Sequence, residues 1–90
     1  MGWTWDEAKA AANRRKHGIS FEAAELAFED PLILSQPDPH PDGDRWQSLA
    51  AIGSTVLFVV HTWPDDDSDG RIISARRATP HERRSYEEGE

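Results

Sequence analysis

Thr55-Val56-Leu57-Phe58-Val59-Val60-His61-Thr62 is the stretch on which the fold turns. Its five central residues are apolar and mostly β-branched or aromatic, a composition that suits the pleated surface of a strand. Strand side chains alternate, so Leu57, Val59 and His61 share one face. Gly53-Ser54 just before it is a tight connection, and it leads back to a weaker alternating strand over residues 45–52. Downstream, residues 65–70 read as a loop and residues 71–77 as another strand. There, Ile72, Ser74 and Arg76 are expected on one face, with Arg71, Ile73, Ala75 and Arg77 on the other. Upstream, Leu32-Ile33-Leu34 is a short strand. Residues 36–44, broken by Pro37, Pro39, Pro41 and Gly43, read as a loop.

The flanks of this meander are helical. Trp3 to Trp5 is a brief alternating edge strand. Asp6 is placed to cap a helix over residues 7–17, and Thr4 with Glu7 offers a competing capping box. Gly18 supplies the left-handed stop. Ser20 opens a second helix over residues 21–29, with Phe21, Ala24, Ala27 and Phe28 on one face, and Asp30-Pro31 ends it. Thr79, Pro80 and Glu82 mark the start of a third helix reaching Glu88. Two helices, a strand meander and a helix imply an α+β class: an antiparallel sheet with the two N-terminal helices on one face and a short C-terminal helix. The other face of the sheet is where function is sought. Trp5, Phe21, Phe28 and Phe58 are assigned to the core. Trp46 and Trp63 suit sheet packing or stacking on bases.

Ninety residues make one domain, 1–90, with a single thin core. There is no cysteine, which excludes disulfides, thiolate metal sites and a cysteine nucleophile. No apolar run approaches the roughly 20 residues of a membrane span, and the start lacks a secretory signal, so a cytoplasmic protein with no membrane partner is expected. The four histidines are dispersed, without His-x₃-His spacing; no metal and no other cofactor is expected. Net charge is −7, yet Asp38, Asp42, Asp44, Asp65, Asp66, Asp67 and Asp69 in two loop-like stretches account for all of it. Arg14, Arg15 and Lys16 cluster in one place, and Arg71, Arg76, Arg77, Arg83 and Arg84 in another, so a locally positive face is compatible with an acidic chain.

Several segments in order resemble one known family. Trp5-Asp6 with Lys9, then Lys16-His17-Gly18-Ile19-Ser20-Phe21, is similar to the opening of BrnT toxins. Asp30-Pro31, Gly43-Asp44-Arg45 and Val59-Val60-His61-Thr62 fall where that family has similar segments. Arg71-Ile72-Ile73-Ser74-Ala75-Arg76-Arg77-Ala78-Thr79, followed by Glu82-Arg83 and Tyr86, resembles its most specific signature. The resemblance implies a RelE-like fold and a toxin of a type II toxin–antitoxin system that cleaves RNA and arrests translation. It implies a ribbon-helix-helix antitoxin of the BrnA type, a 2:2 hetero-oligomer, and contact with operator DNA only through the antitoxin, with repression of the shared operon.

RNA cleavage without a metal needs a base for the 2′-hydroxyl, cations for the charge on phosphorus, and an acid for the leaving oxygen. Histidine suits the proton transfers and arginine the phosphate. One donor to the developing charge is worth roughly 3–4 kcal/mol. The catalytic candidates are therefore Arg76, His61, Arg45, Lys16 and His17, with Arg71 and Arg77 as substrate-binding residues. If His61 and Arg76 lie on the same side of the sheet, they form part of one site. Each has an ordinary structural role as the competing reading: Arg76 pairing with Glu82, His61 making a strand-end hydrogen bond, and Lys16 and His17 complementing a helix dipole. Arg45 and Arg71 compete with solvated turn and loop-edge charges. The second functional reading is a non-catalytic toxin homologue that binds the antitoxin and assists repression.

Overall fold

The computed structural model describes residues 2–41, 43–65 and 69–89. Asp42 of the proline-rich stretch, and Asp66, Asp67 and Ser68 of the acidic loop, lie outside the described residues. The elements run β1 (Trp3–Thr4), α1 (Glu7–His17), α2 (Phe21–Ala27), β2 (Leu34–Pro37), β3 (Trp46–Ile52), β4 (Thr55–His61), β5 (Gly70–Arg77) and α3 (Pro80–Glu88).

Capping chemistry sets the helix ends. The Asp6 side chain accepts from the Lys9 N–H, and Ser20 accepts from Ala23. Gly18 takes the left-handed conformation, φ 73°, that stops α1. The Thr79–Glu82 capping box opens α3 behind Pro80.

The sheet order is β1-β5-β4-β3-β2. β2 to β5 form an antiparallel meander, but β1 pairs with β5 in parallel. The sheet is thus mixed, not wholly antiparallel. Two helices and three strands separate β1 from β5, and a parallel neighbour needs such a long connection. β2 also lies downstream of its expected place. Asp30 ties Leu32 and Ile33 into a turn through its side chain and carbonyl, so pairing begins only at Leu34. Leu34↔Leu49 and Gln36↔Gln47 then set the register, and Pro37 is tolerated because β2 is an edge strand.

A bulge in β5 decides which side chains face where. Val60 pairs with Ser74, but His61 pairs with Ile72, which leaves Ile73 as the extra residue. Ile72 and Ala75 consequently both point into the core, 1% and 0% exposed. The expected sharing of one face by Ile72, Ser74 and Arg76 fails at this bulge.

The core joins Phe21, Ala24 and Ala27 of α2 to Ala50, Leu57, Val59, Ile72 and Ala75 of the sheet. α1 has only a narrow alanine stripe and is held largely by Asn13. Its side-chain amide donates to the carbonyls of Ile19 (3.0 Å) and Ala75 (2.7 Å) and accepts from the Ala75 N–H (3.1 Å). At the opposite end of β5, the Trp3 ring lies so close to Gly70 that a Cβ there would come within 2.5 Å of it.

Candidate functional site on the open sheet face

β4 presents two different surfaces. Toward α2 it turns Leu57, Val59 and His61. His61 is 0% exposed. Its Nδ1 lies 2.8 Å from the Thr62 carbonyl, which can only accept, so Nδ1 carries the proton. Nε2 then accepts from Ser48 Oγ at 2.6 Å, and Ser48 Oγ accepts from Ser35 at 2.7 Å. Phe28 and Trp63 close on the imidazole edge-to-face at 4.7 Å each, and Trp3 at 5.5 Å. A serine hydrogen-bonded to an oriented histidine has the form of a nucleophile and base. Here both are sealed, with Ser48 1% exposed, and no substrate atom can reach them. Burial pushes the imidazole pKa below its ordinary 6.5, against the upward pull of the Thr62 hydrogen bond.

The other surface carries Phe58, in register with Leu49 on one side and Arg76 on the other. His61 and Arg76 therefore stand on opposite sides of the sheet. A joint His61–Arg76 site is corrected by the register, and its physical cause is the even–odd separation of Phe58 from His61 along one strand. The Arg76 guanidinium lies 4.2 Å from the Phe58 ring centroid, in cation–π contact. Its Nη1 and Nη2 donate end-on to the two Glu82 oxygens at 2.8 and 2.9 Å, and Nη1 also donates to the Arg77 carbonyl at 3.2 Å. Glu82 Oε1 meanwhile accepts from the Thr79 N–H. One carboxylate thus caps α3 and fixes the arginine. The Arg76 hydrogen bond, more than any other influence, holds the Glu82 pKa down to about 2.

This pairing leaves Arg76 a working edge. A guanidinium has five N–H groups. Three are used by Glu82 and the Arg77 carbonyl. Nε–H and the second Nη2–H point the same way and have no acceptor among the described residues. They form a side-on fork of the shape that grips a phosphate.

α3 buries none of its own residues and is held to the sheet by polar contacts. Besides Arg76–Glu82, the Tyr86 hydroxyl donates to Asp30, whose carboxylate also accepts from Ala51 N–H and Leu32 N–H. Burial opposes ionisation of Asp30, yet these hydrogen bonds bring its pKa below the ordinary value, and the same bond to Asp30 pushes Tyr86 up to about 12. Between α3 and the sheet runs a groove of about 320 Å³. Leu34, Leu49 and Phe58 give it apolar surface, Gln36 and Gln47 polar surface, and His81, Glu82 and Ser85 line it from α3.

The other candidate residues divide between the two ends of the sheet. Arg45 precedes Trp46, and the Arg71 carbonyl bonds the Thr62 N–H; both thus lie at the His61 end. Arg76 and Arg77 lie four and five residues further along β5 than Ile72, so Arg76 is about 13 Å away at ordinary strand rise. Arg77 is exposed and pairs with Leu57, projecting oppositely to Arg76. On α1, Asn13 is bonded to Ala75, Lys16 is exposed and His17 is half-buried, and neither Lys16 nor His17 has a contact with the other candidates among the described residues.

Sequence reasoning placed Phe58 in the core and gave His81, Gln36 and Gln47 no site role. The usable signal was the pair of mirrored spacings Leu34-x-Gln36 and Gln47-x-Leu49, which align when two strands pair antiparallel. Trp46 and Trp63 contact each other edge-to-face at 6.0 Å, and Trp63 joins the wall around His61. Among the described residues no three His, Asp or Glu side chains converge as a metal site would require, and no helix is long and apolar enough to cross a membrane.

An open sheet face bearing an oriented arginine fits a protein that handles phosphodiesters. A model of the family described as "Ribonuclease toxin, BrnT, of type II toxin-antitoxin system" matches residues 5–82. The chain belongs to this family of ribonuclease toxins, which brings with it an RNA target and an antitoxin partner. No curated protein matches it.

Proposed function

We propose that the chain is a metal-independent endoribonuclease, on a RelE-like fold, whose working surface is the open sheet face at Arg76 together with the adjoining groove beneath α3, which the Arg76 contacts Phe58 and Glu82 line. The reading is supported chiefly by the side-on fork of Arg76, held in place by Glu82 and Phe58 but without an acceptor among the described residues. In this reading the fork binds the scissile phosphate. The RNA 2′-oxygen attacks phosphorus and the P–O5′ bond breaks, giving a 2′,3′-cyclic phosphate and a free 5′-hydroxyl. His81, in the groove wall, takes the 2′-hydroxyl proton. Solvent protonates the leaving oxygen. Arg77, which projects from the other face of β5, and Lys16, His17, Arg45 and Arg71 are proposed only as contacts for phosphates of a strand that runs beyond the edges of the site. His61 is left a structural part.

The proposed cellular role extends the family's description as a ribonuclease toxin of a type II toxin–antitoxin system. The toxin acts in the cytoplasm, cuts RNA and arrests translation. A BrnA-like ribbon-helix-helix antitoxin neutralises it in a 2:2 complex, which represses the operon through the antitoxin's DNA contacts. The second reading, a non-catalytic homologue acting with the antitoxin, is favoured by one observation: Glu82 occupies the end-on fork of Arg76.

Expression of the chain without its antitoxin separates the two. Growth arrest with RNA cleavage, reduced at least about hundredfold in a folded Arg76→Ala variant and partly kept in Arg76→Lys, is the expected outcome. Normal growth with soluble, folded protein, and no cleavage by the purified chain, points to the non-catalytic homologue.

A further inference from the structure

Gln36 and Gln47 form a hydrogen-bonded chain whose direction is fixed from one end. Asp38 Oδ2 lies 2.8 Å from Gln47 Nε2, and a carboxylate at neutral pH only accepts. Gln47 therefore turns its amino group to Asp38 and its Oε1 to Gln36, whose Nε2 donates to it at 3.0 Å. Asp38 is itself held, its Oδ1 accepting from the His40 N–H and its own N–H donating to the Arg45 carbonyl. Gln36 is the last member. It is exposed on the edge strand, and its second N–H and its Oε1 have no partner among the described residues. Gln36 is one of the residues that line the groove containing Leu34, Leu49 and Phe58.

We propose that this groove is a base subsite that selects adenine in the RNA, with Gln36 as the specificity-determining residue. The inference rests on the reading of the groove as the RNA site. An amide whose orientation is fixed offers a donor and an acceptor side by side, and glutamine pairs bidentately with adenine through such an edge. Adenine alone presents a neighbouring donor and acceptor, N6–H and N7, on its Hoogsteen edge, and this is the edge that Gln36 reads; on the Watson–Crick edge every base offers such a pair and none would be selected. The Hoogsteen edge of guanine shows two acceptors and would leave the amide oxygen unpaired. The apolar groove residues suit the face of a purine, and the volume lies at the low end of the roughly 300–1,000 Å³ that accommodates small ligands. Asp38 and Gln47 act as positioning residues, since they touch Gln36 or its partner and not the base.

The test combines binding with cleavage. Adenosine, guanosine, cytidine and uridine 5′-monophosphates are titrated into the ¹⁵N-labelled full chain while the side-chain amide signals of Gln36 and Gln47 are followed. The same chain is given RNA oligonucleotides differing at one base. The expected result is tightest binding for the adenine nucleotide, shifts centred on Gln36, and cleavage favouring sites with adenine. Gln36→Leu, at an exposed position, should reduce that preference roughly ten- to hundredfold while the melting temperature stays unchanged. Gln47→Leu, which frees the Gln36 amide to rotate, should weaken the preference less. RNA cut without base preference, and unaffected by Gln36→Leu, overturns the inference and leaves the ribonuclease reading standing. Adenine nucleotide bound at Gln36 by a chain that cuts no RNA overturns the ribonuclease reading and sustains the subsite. Signals that move only on adding the antitoxin, never with a nucleotide, make the groove a protein interface and overturn the inference.

Discussion

His61 and Phe58 stand three residues apart on β4 and face opposite ways, yet their surroundings differ in kind. On the covered side the buried polar residues among those described, Asn13, Ser48 and His61, have their hydrogen-bonding groups met from within the protein. No buried side-chain polar atom among the described residues lacks a partner. On the open side Arg76 and Glu82 keep 34% and 23% of their side chains exposed, and two of the Arg76 N–H groups have no acceptor among the described residues. A buried polar group must be satisfied internally to be tolerated. A group that binds something must have capacity left over. By that criterion the covered side is architecture and the open side is where a substrate can be held.

The sharpest way to break this contrast is on the covered side. Asn13→Ala leaves the Ala75 N–H and carbonyl without their partner beneath α1. The expected loss is about 3 kcal/mol, because each unsatisfied buried group costs roughly 1–3 kcal/mol. Urea denaturation measures it, and a loss below about 1 kcal/mol would mean that the interior tolerates unpaired groups. The next effect is on pH dependence. His61 binds a proton less readily folded than unfolded, so unfolding takes up a proton once the pH nears the unfolded value. The His61 contribution is full above pH 6.5 and declines as pH falls through 6.5 toward the lower folded value. Melting temperatures from pH 7.5 down to 5.5 should fall, and His61→Gln should flatten that slope. The carboxylates Asp30 and Glu82, both lowered, weaken the fold only at more acid pH and do not blur this window. The smallest effect is expected on the open side. Arg76→Ala should cost only about 1 kcal/mol of stability, since the ion pair it breaks is partly exposed. A loss as large as that of Asn13→Ala would make Arg76 a structural residue.

Much of the fold could be read from local chemistry. The caps at Asp6, Ser20 and Thr79, the stop at Gly18 and the apolar run of β4 are each determined by neighbouring residues, and the α+β class follows from their order. What escaped depended on pairing. The bulge at Ile73 is not determined by the run Arg71-Ile72-Ile73-Ser74-Ala75-Arg76-Arg77 itself, because it is set by what lies across from it on β4. The parallel partner of β1 is distant in sequence for the same reason. The site shows the same division. Arg76 was singled out from its residue type, and its pairing with Glu82 was the competing reading. The conditional pairing of His61 with Arg76 fails because the bulge at Ile73 shifts the face that Arg76 takes. Gln36 sits in a proline-rich stretch whose composition reads as loop, although Pro37 is compatible with an edge strand.

The two histidines give the most direct measurement. Cleavage of a single-stranded RNA at neutral pH should be followed for the purified chain, for His81→Ala and for His61→Gln, with melting curves reporting the folded fraction of each. His81→Ala is expected to melt like the parent and to cut at least about hundredfold more slowly. His61→Gln is expected to be less stable but to cut in proportion to its folded fraction. A folded His61→Gln that cuts nothing, beside a His81→Ala that cuts at the parental rate, would place the chemistry on the covered side and contradict the assignment.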